Sequence, residues 1–260
     1  MIFETIQYET KDNCGIVTLN RPKVYNAING RCIQELHSLL DEVRRTPSIR
    51  VLILTGAPRF FCAGADIGEL NKLDGATGAL DFSRRYQRLF QAVEHFEKPT
   101  MAGISGFALG GGCELALSCD LRILSEGAEL GLPEIDIGAF PAGGGTQTLS
   151  RLIGMGKAKE VLFTGRRIGA QEALSLGLAN QVVPEDQVLA ETLRWAARLS
   201  EKSPTALTAL KRAMNTGANM DLASALAFEA ETFAALSSHR NFKEGVAAFL
   251  QKRRPNFTEE

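Results

Sequence analysis

Histidine is scarce in this sequence, and the three present, His37, His95 and His239, lie beside no glycine-rich turn. That argues against a histidine general base and against a His-rich metal site. The five cysteines, Cys14, Cys32, Cys62, Cys113 and Cys119, are odd in number and form no C-x-x-C pair, which argues against a disulfide framework or a zinc site and implies a reducing compartment. Neither G-x-x-x-x-G-K-[ST] nor G-x-G-x-x-G occurs, so nucleotide-phosphate loops of those types are missing. Gly103-Ile-Ser-Gly-Phe107 misses the G-x-S-x-G nucleophile elbow by its last glycine, and no histidine is placed to activate the serine. No apolar run reaches the ~18 residues of a membrane span. The opening stretch MIFETIQYETKDN carries acids where a signal or transit peptide would carry basic residues, so a cytoplasmic protein away from membranes is expected. With 29 basic and 30 acidic residues the net charge is −1, which offers no field for nucleic acid, and an anionic ligand would need a local cluster.

What remains is a chain of 260 residues, 45% hydrophobic, long enough to bury a full core as one large α/β domain or a domain with an appendage. Short apolar runs alternate with glycine loops and helical patterns. Gly15 to Leu19 reads as a strand, and Ile33, Leu36, Leu39, Leu40 and Val43 mark one stripe of a helix. Val51 to Leu54 is continuous enough for a strand buried on both faces. A helical stretch around Phe82 to Phe96 stops at Lys98-Pro99, Thr100 to Ile104 reads as a strand, and Leu121–Leu124 and Ala128–Leu130 as two more before the glycine-rich loop Pro133 to Gly145. After residue 200 three helices follow with no strand between them. Ser203-Pro204, Asp221, and Asn241 with Glu244 three residues on are read as their N-terminal caps. Phe228, Phe233, Phe242 and Phe249 lie on their apolar faces, which points to packing against a neighbouring subunit.

The segment FALGGGCELALSCD, Phe107 to Asp120, sets three glycines before a nearly all-apolar run and places one acid, Glu114, inside it. Glycine costs about 1 kcal/mol against alanine within a helix, so Gly110, Gly111 and Gly112 are expected to form a turn and a helix start. Glu114 then falls in the first turn of a buried helix, where the free N–H groups and the macrodipole stabilise an acid even without a function. The alternative is that glycine N–H groups meet a ligand while the carboxylate faces it. Cys62-Ala-Gly-Ala-Asp66 also lies where a buried strand hands over to a helix, and two N–H groups from such turns can converge on one carbonyl oxygen as an oxyanion hole. A second acid, Glu134, precedes the glycine-rich Gly138 to Gly145 segment.

Taken together, Asn20-Arg-Pro-Lys23, Phe61-Cys-Ala-Gly-Ala-Asp66, Gly110-Gly-Gly-Cys-Glu-Leu-Ala116, Cys119-Asp120, Pro133-Glu134 and Pro141-Ala-Gly-Gly-Gly-Thr-Gln147 resemble the enoyl-CoA hydratase, or crotonase, family along essentially the whole chain. The resemblance implies an α/β fold, a crotonase-like spiral of repeated ββα units over residues 1–198, followed by a helical oligomerisation region, residues 199–260, that builds trimers or dimers of trimers. It implies hydration of a 2-enoyl-CoA thioester, with Glu114 and Glu134 as the catalytic pair and the N–H groups of Ala63 and Gly111 on the thioester oxygen. Lys23, Ala63, Gly64, Ala65, Asp66, Ile67, Gly111 and Lys252 are the implied acyl-CoA contacts, with Arg253 and Arg254 as further candidates for its phosphates. No metal is implied, and no cofactor beyond the coenzyme A that the substrate carries. Two departures stand out: Ala142 where many hydratases have glycine, and Gly68 where a lysine is often seen. An isomerase moving a 3,4 double bond to 2,3 needs only one proton shuttle and commonly lacks the first acid. An RNA-binding or structural oligomer of this fold would need a basic face or a lost acid.

Overall fold

The computed structural model describes residues 3–258; the outermost residues of the two expected regions, 1–2 and 259–260, lie outside that range. Among the described residues the strands are β1 (Ile6–Lys11), β2 (Cys14–Leu19), β3 (Val51–Thr55), β4 (Phe60–Cys62), β5 (Thr100–Ile104), β6 (Phe107–Leu109), β7 (Leu121–Ser125), β8 (Glu129–Gly131), β9 (Ile168–Gly169) and β10 (Gln181–Val183). The helices are α1 (Gly30–Arg44), α2 (Ile67–Leu70), α3 (Gly75–Glu94), α4 (Gly111–Ser118), α5 (Gly145–Ile153), α6 (Met155–Thr164), α7 (Ala170–Ser175), α8 (Val188–Ser200), α9 (Pro204–Gly217), α10 (Leu222–Ser237) and α11 (Arg240–Leu250).

The strands form two sheets, a large one in the order β1-β2-β3-β5-β7-β10 and a small one in the order β4-β6-β8-β9. The chain visits them alternately. β3, β5 and β7 each join the large sheet, the strand after each joins the small sheet, and a helix follows, which is a crotonase-like succession of ββα units closed by a C-terminal helical region. Parallel neighbours place Val17, Leu54, Ala102 and Arg122 in one row across the large sheet. Because side chains alternate along a strand, β3 serves two cores at once. Leu52 and Leu54 face the main core with α1, α3 and α4, whereas Val51 and Ile53 join Ile16, Met101 and Ile123 in a second layer under Val188 and Ala196 of α8. That is why the run Val51–Leu54 carries no polar residue.

In the second sheet the expected strand Ala128–Leu130 is β8, shifted by one residue, whereas β4 and β6, also three residues each, are too short for alternation to register. α3 begins at Gly75, earlier than its apolar stripe from Phe82 suggests, because Gly75 and Gly78 read as breakers. In the C-terminal region Ser203 and Asp221 cap α9 and α10 as expected, accepting from the N–H groups of Ala206 and Ser224. Asn241 does not cap α11: His239 holds that position, and Asn241 lies inside the helix, where its side chain clamps the backbone of Thr258 at 2.7 and 3.0 Å. Glu244 instead binds Arg253 and the N–H of Asn256.

Two anchors bear on the site. Lys211 of α9 reaches Asp120 at 2.8 Å, and the same Asp120 oxygen accepts from the N–H and hydroxyl of Thr100, so the C-terminal helices are tied to the start of β5. Arg122 is buried and spends its guanidinium on the carbonyls of Cys119, Ala116 and Leu178, closing the C-terminal end of α4.

Candidate active site

The turn from β6 into α4 depends on its glycines. Gly110 has φ 50° and donates its N–H to Gly131 across the small sheet at 2.8 Å. A Cβ there would stand 3.0 Å from Oε1 of Glu134, so the missing side chain admits the second acid. A Cβ on Gly112 would lie 2.5 Å from the carbonyl oxygen of Cys62, which seats α4 directly on β4. Between them Gly111 keeps its N–H at the open end of the helix.

Glu114 is 7% exposed and belongs to a helix whose every residue is buried. Its Oε1 accepts from the N–H of Gly145 at 2.7 Å. A Cβ on Gly143 would stand 2.6 Å from its Oε2 and 2.5 Å from the Phe90 ring, so only glycine fits there. Burial pushes its carboxyl up to about 7; the Gly145 N–H opposes that shift, the negative charge of Glu134 adds to it, and the N–H groups of Gly143 and Gly144 oppose it. Glu134 sits in a 3-10 turn, Pro133–Ile137, and burial raises its carboxyl too. Its Oε2 is buried with no hydrogen-bond partner among the described residues.

Both acids line a cavity of about 780 Å³ together with Ala65 and Gly111. Its remaining wall is mostly apolar and includes Leu73, Leu80, Phe82, Ile137 and Phe140. Much of it comes from the stretch Asn71 to Arg85, which carries no readable motif, and from the loop after Glu134. Tyr86 also lines it, with its hydroxyl donating to Ile28 at 2.6 Å.

One expected donor is corrected. The N–H of Ala63 already donates to the carbonyl of Tyr25 at 2.9 Å, and Ala63 does not line the cavity. Two residues on, the N–H of Ala65 has no acceptor among the described residues, because the flanking bonds from Ile28 N–H to Gly64 and from Asp66 N–H to Ile28 use the groups on either side. A Cβ on Gly111 would stand 3.4 Å from the Ala65 nitrogen, so the Gly111 backbone packs beside the Ala65 N–H. The chain turns at Gly64, whose φ of 118° ends the run of β4, so the N–H before it meets the Tyr25 carbonyl while the N–H after it has no acceptor among the described residues.

The other expected contacts divide. Gly64, at φ 118°, packs against Gly111 and Leu109. The Asp66 carboxylate is committed to Arg21 at 2.9 Å and to the N–H of Gly68, so it caps α2. Ile67 is 63% exposed. Lys23 and Lys252 are exposed and line neither this cavity nor the one adjoining it. Arg253 is engaged by Glu244. Ala142 lines the cavity, and its carbonyl accepts from Ser83 and Gln87 at 2.7 and 2.9 Å. Cys62 and Cys113 are buried thiols pushed up to about 12 by burial, which suits packing rather than chemistry. Among the described residues no group of three His, Cys, Asp or Glu side chains is placed to hold a metal, and no helix is long and apolar enough to cross a membrane.

The enoyl-CoA hydratase/isomerase family pattern matches residues 9–260. The chain is 40% identical to a short-chain-enoyl-CoA hydratase of Clostridium acetobutylicum, over 98% of this chain and 97% of that one. It is also 40% identical to a crotonyl-CoA hydratase of Syntrophomonas wolfei, over 99% of both. Its fold superposes on a crystal structure of an enoyl-CoA hydratase subunit from Geobacillus kaustophilus with a TM-score of 0.93, at 40% identity and 99% coverage of each chain. This chain belongs to the enoyl-CoA hydratase/isomerase family.

Proposed function

We propose that the protein hydrates 2-enoyl-CoA thioesters, and that Glu114, Glu134 and the N–H groups of Ala65 and Gly111 are its machinery. The carrying observation is that a buried carboxyl and a half-buried one, both with raised pKa, face one cavity beside a pair of N–H groups, of which Ala65's has no acceptor among the described residues. The thioester oxygen accepts from both N–H groups, which stabilise the enolate-like charge that develops on it; losing one such donor typically costs about 3 kcal/mol of barrier.

The acids take opposite proton steps. Glu114, held by loop N–H groups, removes a proton from water as its oxygen adds to C3. Glu134, whose Oε1 lies next to Gly110 and so on the thioester side, delivers a proton to C2. The charge of Glu134 adds to the raising of the Glu114 carboxyl, so proton loss from the two acids is coupled. Both acids favour hydration over isomerisation, which needs a single shuttle.

The assay is loss of the conjugated thioester absorbance of crotonyl-CoA with purified protein, a short acyl chain chosen because the named relatives act on short and crotonyl thioesters. Turnover supports the reading; inertness toward 2-enoyl-CoAs of every length, with rapid conversion of 3-enoyl-CoA, overturns it in favour of the isomerase.

The same reading extends to assembly and location. Residues 199–260 serve as an oligomerisation region in trimers or dimers of trimers in the cytoplasm, supported by exposed Leu222, Leu226, Phe233 and Phe249. Lys23 and Lys252 contact the CoA phosphates.

A further inference from the structure

A second cavity, of about 430 Å³, also reaches the Glu114 carboxylate, but Ala65, Gly111 and Glu134 take no part in its wall. Gln87, Gly143, Gly144 and Gln147 line both cavities, so the two meet at Glu114. Their chemistry differs. The first is walled mainly by leucines, alanines and phenylalanines. The second presents Gln91, His95, Arg151, Asn215 and Asn219, and Gln91, His95, Arg151 and Asn219 are exposed, so it opens to solvent.

An acyl chain gains by leaving water only where its neighbours are apolar, and the first cavity supplies that. The second suits water, which needs two to four polar partners at each position; its volume admits on the order of ten molecules. The throat is fixed: the Gln87 amide is bonded to Ser83 and to the Ala142 carbonyl, and Gly143 leaves no room for a side chain beside Glu114.

We propose that this polar cavity is a solvent passage through which the water of the reaction exchanges with bulk while the acyl-CoA fills the apolar cavity. The inference rests on the hydratase reading. In the dehydration direction the C3–O bond breaks and the oxygen leaves as water with a proton from Glu114, while the C2 proton passes to Glu134. Water released at Glu114 then moves into the passage. If the bound enoyl thioester is rehydrated, the oxygen that adds comes from solvent.

The test is to give the enzyme 3-hydroxybutyryl-CoA carrying oxygen-18 on C3 in ordinary water. At early times, before released enoyl-CoA rebinds, loss of label from recovered 3-hydroxybutyryl-CoA is compared with crotonyl-CoA released. Wild type is expected to lose label in excess of release. Two variants narrow the passage without touching the proposed machinery: Ser118→Leu in its buried wall and Ala218→Trp at its exposed mouth. Each is expected to lower that excess about tenfold, with butyryl-CoA affinity held within about twofold. Should Ser118→Leu not fold, Ala218→Trp decides alone. No excess in wild type, or an undiminished excess in the folded variants, overturns the passage while hydration stands. Weakened butyryl-CoA binding in the variants also overturns it and makes the cavity an acyl site. Absence of any interconversion by wild type removes the hydratase reading itself.

Discussion

α4 and α10 are both strongly apolar helices, and they meet opposite fates. Every residue of α4 is buried, and Glu114 is buried among them; α10 is twice as long and buries none of its residues within its own chain. Composition therefore says that a helix must be covered, and position in the chain decides by what. α4 lies between the small sheet, α3 and α5. α10 packs on α9 and leaves Leu222, Leu226 and Phe233 outward. Burial of the first helix raises the Glu114 carboxyl to about 7, and the charge of Glu134 adds to that shift. The second leaves an apolar face exposed, which the proposed association would cover.

The largest expected effect sharpens the α4 side. Glu114→Gln and Glu134→Gln should each lower kcat on crotonyl-CoA by about two orders of magnitude or more, with circular dichroism unchanged. Near-normal turnover in either removes that residue from the mechanism. Next, neighbouring glycines in the same helix should part company. Gly111→Val should abolish butyryl-CoA binding and turnover with a modest change in unfolding temperature, since its Cβ meets only ordinary contacts. Gly112→Ala should chiefly cost stability, because its Cβ would overlap the Cys62 carbonyl. Equal loss of folding in both would reduce the glycine run to a tight turn.

A smaller effect concerns pH. Glu114 titrates at about 7 in the fold against 4.5 for an ordinary glutamate. Across that interval the folded chain holds a proton the unfolded chain has released, so this group lowers stability as pH rises from 4.5 to 7, by at most about 3 kcal/mol. Glu114→Gln removes the titration while its amide oxygen still accepts from Gly145. The variant should unfold at a higher temperature than wild type at pH 8, and the gap should close near pH 5; a gap independent of pH would contradict the raised carboxyl. The smallest effect tests α10. Leu226→Ser with Phe233→Ser should shift the protein to a lower-order species in light scattering at micromolar concentration. Unchanged mass would mean that this face is not where subunits meet.

In the large sheet β2, β3, β5 and β7 are legible because each runs five or six residues of largely apolar sequence, as in Val51–Thr55, whereas β1 is mostly polar and β10 is three residues long. In the small sheet only β8 is legible, from Ala128–Leu130, since the three residues of β4 and of β6 carry no period. Both acids and Gly111 could be named from their motifs, whereas the partner N–H could not. Ala63 and Ala65 present the same side chain, and only the bond from Ala63 to Tyr25, a contact between segments forty residues apart in order of magnitude, tells them apart. The wall from Asn71 to Arg85 was silent for a related reason: it contributes shape, and shape has no residue code. Asn241 was misassigned because a cap and a clamp use the same side chain, and the Thr258 backbone it holds is far away in sequence.

Arg122 gives the site a particular kind of inheritance. α4 spans two turns, about 12 Å from end to end, and the guanidinium grips the carbonyls at one end while Gly111 offers its N–H at the other. Arg122 thus holds the end of α4 opposite the Gly111 N–H without lining the cavity. Lysine, with one nitrogen in place of a fork, cannot hold the Cys119 and Leu178 carbonyls in the same directions. Exchanging leucine and phenylalanine along the apolar wall reshapes the cavity alone, whereas replacing Arg122 alters the seat of the helix.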